Sequence, residues 1–322
     1  MNTSEKSSAA PPSFLARFIH WMFSWRTLRR TLLTLAGLFT LVALFFAEEN
    51  WRGKRAWEKF KGEWEAKGER FELAAFLPKP VPDDQNFAMT PFLAPSGEAK
   101  GDTDASRLRP VDVYGGSGRG EAPVVGSLER GTLTDLREWQ KFYRSNTNFP
   151  SASEPQDPAK DVLLALGRFA PVLKELEEAG RRPHTVFPVH DEVNLEAVLS
   201  YLSRLKAIVL VLHVRGVAFL ENNQAGEALS DVKLSFRLAE STKAEPLLIS
   251  HLIRIAISSI SVSSVWEGLA RHRWTEPELV DLQTLLGSID LLADYEHVLR
   301  GERAFSNAMM SRLRRGQEGG DV

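Results

Sequence analysis

The chain has no cysteine. That excludes disulfides, thiolate nucleophiles and cysteine metal sites. It is compatible with an oxidising compartment without requiring one. A charge bias is also missing: 40 Lys and Arg stand against 42 Asp and Glu, a formal net charge of −2. Such a balance argues against a general nucleic-acid surface. Residues 132–315 show no sustained period-two alternation, so no sheet is expected there. No HExxH, GxSxG or complete P-loop occurs. The glycine-rich GGSGRGE at 115–121 lacks both the following Lys-Ser/Thr and the GxGxxG spacing, and reads as a flexible turn. His184 and His190 flank a loop with Asp191 and Glu192, but irregular backbone there fixes no ligand geometry. No cofactor and no metal are expected.

What the chain does have is TLLTLAGLFTLVALFFA, Thr31 to Ala47, with no charge. Arg26, Arg29 and Arg30 precede it. Seventeen residues span about 25 Å as a helix, the short end of what crosses a bilayer. The expectation is a single membrane helix at 27–48, with Leu32, Leu35, Leu38, Leu41 and Phe45 facing lipid. A cleaved signal peptide is the alternative, but Phe45 and Phe46 fill positions where small residues are wanted. A buried globular helix is a third reading. Orientation is not settled by counting, because Arg52, Lys54, Arg55, Lys59 and Lys61 follow the span. A first span followed by one long domain favours a cytoplasmic N-terminus and an extracytoplasmic body.

Residues 1–12 are small and polar and read as disordered. Phe14 to Trp25 is an aromatic segment that either lies in the membrane interface or begins the membrane helix. After the span, 49–77 reads as a juxtamembrane helix. Trp57, Phe60 and Trp64 share one face of it, either packing on the chain's own domain or forming a docking stripe. Residues 78–131 are rich in Pro and Gly and read as an irregular linker, in which NFAMTPF at 86–92 is able to dock as an extended arm.

An ordered helical domain is expected at 132–315, with a frayed tail at 316–322. Thr132 and Asp135 suggest a cap before LREWQKFY. Pro171 starts or kinks a helix within 161–180. Four long helices follow from Asn194. The last, beginning at the capping box Thr275–Glu278, is read as continuous through Phe305. The fold class is therefore all-α: antiparallel helical hairpins in a bundle or short solenoid, preceded by a single transmembrane helix. Leu205 and Leu252 are assigned to its core.

Between Arg215 and Ala239, Gly216, Ala218, Gly226, Ala228, Leu229, Asp231, Leu234 and Ala239 fall in the pattern of one tetratricopeptide helical hairpin, which this stretch resembles. The whole arrangement also resembles uncharacterised membrane-anchored helical proteins of bacterial envelopes. The first resemblance implies a scaffold that binds peptides or proteins; neither implies a reaction. On this reading the partners are the lipid bilayer and an unidentified protein or a second copy of the chain. Arg237 and Lys243 are assigned to its exposed binding surface.

Two other functions remain open. His213, His251, Arg254 and Glu267 are placed to meet in a polar seam between helices. The seam is either a satisfied hydrogen-bond network or the site of a hydrolase-like enzyme. The serines at 258, 259, 261, 263 and 264 sit inside a helix rather than on a strand–turn elbow, and read as packing residues. A purely structural subunit is the other possibility.

Overall fold

A computed structural model of the chain describes residues 25–93, 122–187 and 195–318. The expectations for the N-terminal tail, the aromatic segment before Trp25, GGSGRGE and the His190 loop lie outside those residues. The chain forms two compact units, Met1–Glu69 and Arg70–Val322.

The described part of the first unit is one helix, α1, Trp25–Glu65. It runs without a break from the arginine cluster through the uncharged stretch and on to Glu65. Nothing on it is buried within the chain. Leu32, Leu35, Leu38, Leu41 and Phe45 are all exposed. The hydroxyls of Thr31, Thr34 and Thr40 donate to the carbonyls of Thr27, Arg30 and Ala36 at 2.8–3.0 Å, so they leave no polar group unsatisfied. The helix is long and apolar enough to cross a membrane. Beyond the apolar run, Trp57, Phe60 and Trp64 line up with ring centroids 5.9 and 5.8 Å apart.

The second unit is all-α among its described residues, with two isolated bridges and no strand. Its helices are α2 Leu136–Ser145, α3 Pro158–Leu166, α4 Ala170–Ala179, α5 Leu195–Glu221, α6 Ala225–Glu240, α7 Leu248–Ala270, α8 Glu276–Gly287 and α9 Tyr295–Glu318. The three long helices α5, α6 and α7 pack on one another, α3 packs on α5, α2 on α3, α8 on α6 and α9 on α7. Short turns make α5–α6 and α6–α7 antiparallel hairpins. Residues 207–212 of α5 are buried all round, as the unbroken run AIVLVL requires. Asn223, just past the end of α5, takes a left-handed φ of 58°, which asparagine tolerates better than most residues. A smaller cluster of Leu229, Val232, Phe236, Val265 and Leu282 joins α6, α7 and α8.

Several expectations change. The cap of α2 is Asp135, whose carboxylate accepts from Arg137 N–H at 2.8 Å; Thr132 instead bridges Ser127. The NFAMTPF arm does dock, but with a one-turn 3-10 helix at Phe87–Met89, preceded by another at Asp83–Gln85, rather than extended. Phe87 and Leu93 are fully buried, and Asn86 makes hydrogen bonds to both the N–H and the C=O of Val186. The expected fourth long helix is two. Its capping box at Thr275 and Glu278 forms, but the helix stops at Gly287. Asp290 then accepts from the N–H groups of Leu292 and Ala293 at 2.9 Å, a local turn that competes with helix continuation. α9 restarts at Tyr295 and extends to Glu318, past the point at which the tail was expected to fray. Leu252, assigned to the core, lies on the outer face of α7 and is half exposed.

Like α1, helix α7 has the length and apolar content of a membrane span, but half of its apolar stretch is buried in the unit. Its serines explain how. Ser261, Ser263 and Ser264 return their hydroxyls to carbonyls four residues back, and the small side chains let α5 and α6 approach.

Candidate functional site

α5 and α7 bring His213 and Glu267 together with Nε2 and Oε1 3.1 Å apart, and both side chains are fully buried. The other ring nitrogen, Nδ1, lies 2.7 Å from Ser264 Oγ. Ser264, Glu267 and Arg271 share one face of α7 through their i, i+3 and i+7 spacing. Arg271 donates through Nη2 to Glu267 Oε2 at 2.7 Å and to the Thr134 carbonyl at 2.9 Å, and through Nη1 to Glu221 at 2.7 Å.

The fifth member comes from the segment ahead of α2. Thr134 donates its backbone N–H to both Glu267 oxygens at 3.1 Å and its hydroxyl to Oε1 at 2.5 Å. Gly126 N–H donates to the same hydroxyl at 2.8 Å. Gly126 has to be glycine: a Cβ there would collide with the Glu267 carboxylate and stand 2.8 Å from Thr134 N. Burial alone pushes the Glu267 carboxyl up. Donors from His213, Thr134 and Arg271 outweigh it and hold the group below the ordinary glutamate value.

Beside this network lies an open cavity of about 490 Å³, lined by residues that include Thr134, Asp135, Arg137, Asp157, Glu221 and Arg271. The network reaches it through Thr134, Arg271 and the Glu221 that Arg271 holds. His213, Ser264 and Glu267 do not line it. The Ser264–His213–Glu267 order has the hydrogen bonds of a nucleophile–base–orienter set, but the serine is mid-helix and buried. What the arrangement does is clamp the 126–134 segment onto α5 and α7.

His251 and Arg254 do not join that seam. They lie 13 residues before Ser264 and Glu267 on α7, about 20 Å along the axis. Arg254 is 1% exposed and donates to Glu240 at 2.7 Å and Asp294 at 2.8 Å, tying α6 and α7 to the turn before α9. The His251 ring lies against Tyr295, and burial first, then Arg254, holds its pKa below the ordinary histidine value. One expected seam is thus two clusters at opposite ends of α7.

Of the expected surface residues, Lys243 is half exposed and pairs with Glu240 and Asp294. Arg237 is not a free surface charge. Its guanidinium donates to the carbonyls of Gly180 and Arg182 at 3.2 and 3.0 Å and covers the Phe87 ring at 4.9 Å, so it pins the docked arm.

Asp231 and Glu245 are among the buried acids that the sequence reading assigned to no site. Asp231 on α6 forms a bidentate ion pair with Arg215 on α5, and burial pushes its carboxyl up to about 6. Glu245, in the turn between α6 and α7, accepts from Tyr201 OH at 2.5 Å and from Ser250 Oγ. Burial pushes it up to about 7, against both hydrogen bonds. Asp231 had a signal, since it falls inside the tetratricopeptide-like pattern; Glu245 had none beyond its position in a turn. No group of three or more metal-ligating side chains occurs among the described residues. Compared with known proteins, the chain matches no family model, no curated protein and no solved structure.

Proposed function

We propose that the chain is a single-span membrane protein whose helical unit acts as a protein-binding component of an envelope assembly, with the N-terminus in the cytoplasm and the helical unit outside it. One observation carries the anchor: α1 exposes an uncharged run of seventeen residues on every side, with its three hydroxyls satisfied internally. In water that surface has no partner; in hydrocarbon it needs none. Arg26, Arg29 and Arg30 at one end, and Trp51, Arg52 and Arg55 beyond the other, suit the two headgroup layers.

Two features support binding over catalysis. The buried Ser264–His213–Glu267 cluster is used as a clamp on the 126–134 segment. α7 also keeps an outward apolar face, Leu252 and Ile255, on a helix whose other side is core. The tetratricopeptide-like α5–α6 hairpin agrees with a binding role, although a Cβ added at Gly216 would stand at an ordinary 3.9 Å from Asp231 Cβ, so the pairing of the two helices does not depend on glycine there.

Carbonate extraction tests the anchor. Wild type stays in the membrane pellet, whereas Leu38→Arg with Leu41→Arg releases the protein or blocks its insertion, because each central charge costs about 2.5–3.5 kcal/mol. Full recovery of wild type in the soluble fraction refutes the anchor. Protease added to sealed vesicles of known sidedness then tests the orientation. Affinity capture from gently solubilised membranes, with crosslinks mapped on the chain, tests the binding role; crosslinks confined to α1 refute a role for the helical unit.

A further inference from the structure

Glu245 is the polar group in this molecule most in need of explanation. It is 3% exposed, and its Oε1 has no hydrogen-bond partner. Its other oxygen accepts only from uncharged hydroxyls, Tyr201 on α5 and Ser250 on α7. A buried carboxylate without a cation is costly, whereas a buried carboxylic acid with two hydroxyl neighbours is not.

The turn that carries Glu245 is where four parts of the unit meet. Tyr201 stacks flat on Phe187, with centroids 4.1 Å apart and 6° between the planes, so it holds the segment ending at 187. Pro246 packs so closely on Gly301 of α9 that no side chain fits at 301. Glu302 of α9 accepts from Leu248 N–H at 2.9 Å, capping the start of α7.

The charged groups around it are engaged elsewhere. On α6 and the turn, Glu240 and Lys243 face Arg254 and Asp294. On α7, Arg254 takes the same two acids, and His251 lies on Tyr295. On α9, Glu302 is used by Leu248, and Arg303 covers Phe71 and donates to the Arg70 carbonyl. On α5, Tyr201 bonds Glu245 directly, and the buried Arg204 one turn on donates to the Leu93 carbonyl at 3.4 Å.

We propose that the 241–247 turn is a proton-operated joint, closed while Glu245 is protonated and loosened when it ionises. The ionised carboxylate has to draw in water or move outward. Either response pulls on the Tyr201–Phe187 stack and on the contact between Pro246 and the first half of α9. Opening becomes easier as pH rises from the ordinary glutamate range towards neutrality, the opposite direction to a buried neutral histidine or a carboxylate held by a cation.

Hydrogen exchange on the full-length protein in detergent tests this, at about pH 5.5 and about pH 8.5 with intrinsic rates removed. Wild type is expected to lose about tenfold protection at 241–250 and in the first half of α9 at the higher pH, while Glu245→Gln holds it constant. His251→Asn is expected to keep the wild-type response. Tyr201→Phe removes a donor that favours the ionised form, so it should move the transition to higher pH; this arm serves if Glu245→Gln does not fold. Equal wild-type protection at both pH values overturns the proposal. So does a response that survives in Glu245→Gln, one that vanishes in His251→Asn, or a Tyr201→Phe transition that stays in place.

Discussion

Glu267 concentrates on one carboxylate what three separate stretches of chain need: a backbone N–H and hydroxyl from Thr134, the ring of His213 and the guanidinium of Arg271. Glu267→Gln keeps the volume but brings donors of its own into a site built to donate. It should cost about 3–5 kcal/mol in urea unfolding, the range for breaking a buried charged pair. The pH dependence has a definite sign. The folded state holds this carboxyl below its ordinary value, so its stabilisation is present above that value and lost as pH falls through it. The Gln variant should therefore show a flatter acid limb. Asp231 acts in the other direction: its carboxyl is raised to about 6, so its burial cost grows as pH rises towards that value. His213 and Glu267 were read from the sequence only as two of four members of one polar seam, with His251 and Arg254, which lie at the other end of α7. Thr134 and Gly126 were not legible, because nothing in a local pattern shows which loop will cross a helix pair.

At the level of elements, periodicity revealed which segments are helical but not every face. Leu205 and Leu252 both sit in apolar helical runs. Leu205 is fully buried between helices, while Leu252 is half exposed. Leu205→Ala should cost about 2–5 kcal/mol, and Leu252→Ala should stay within about 0.5 kcal/mol, both read from denaturant midpoints. A helix with polar serines inside and leucine outside defeats a hydrophobicity count, since the serines satisfy themselves on the preceding turn. The split between α8 and α9 hid for a similar reason. GSIDLLAD keeps helical spacing, and only the Asp290 turn and the Arg254–Asp294 ion pair pull it out of the helix. The capping box at Thr275 was legible because its two members are three residues apart and need no tertiary partner.

For the whole molecule, the two units present different surfaces. The described first unit buries nothing within the chain; the main core of the second includes its docked arm and its first short helices. The Pro/Gly-rich stretch marked a change of character without showing that Phe87 and Leu93 within it are core residues. Composition reports flexibility on average, whereas burial is decided by one or two large side chains finding a hole. α1 itself has one more property. Its 18 residues past Ala47 continue the same helix as the apolar run, extending about 27 Å with no glycine pair, proline or turn to absorb bending. A rod clamped at one end is a lever. In a bilayer, a change of tilt of about 20°, well within the range helices adopt to match membrane thickness, would sweep Glu65 sideways by about 9 Å. The thickness of the lipid would then be reported at the far end as position, amplified by the length of the arm.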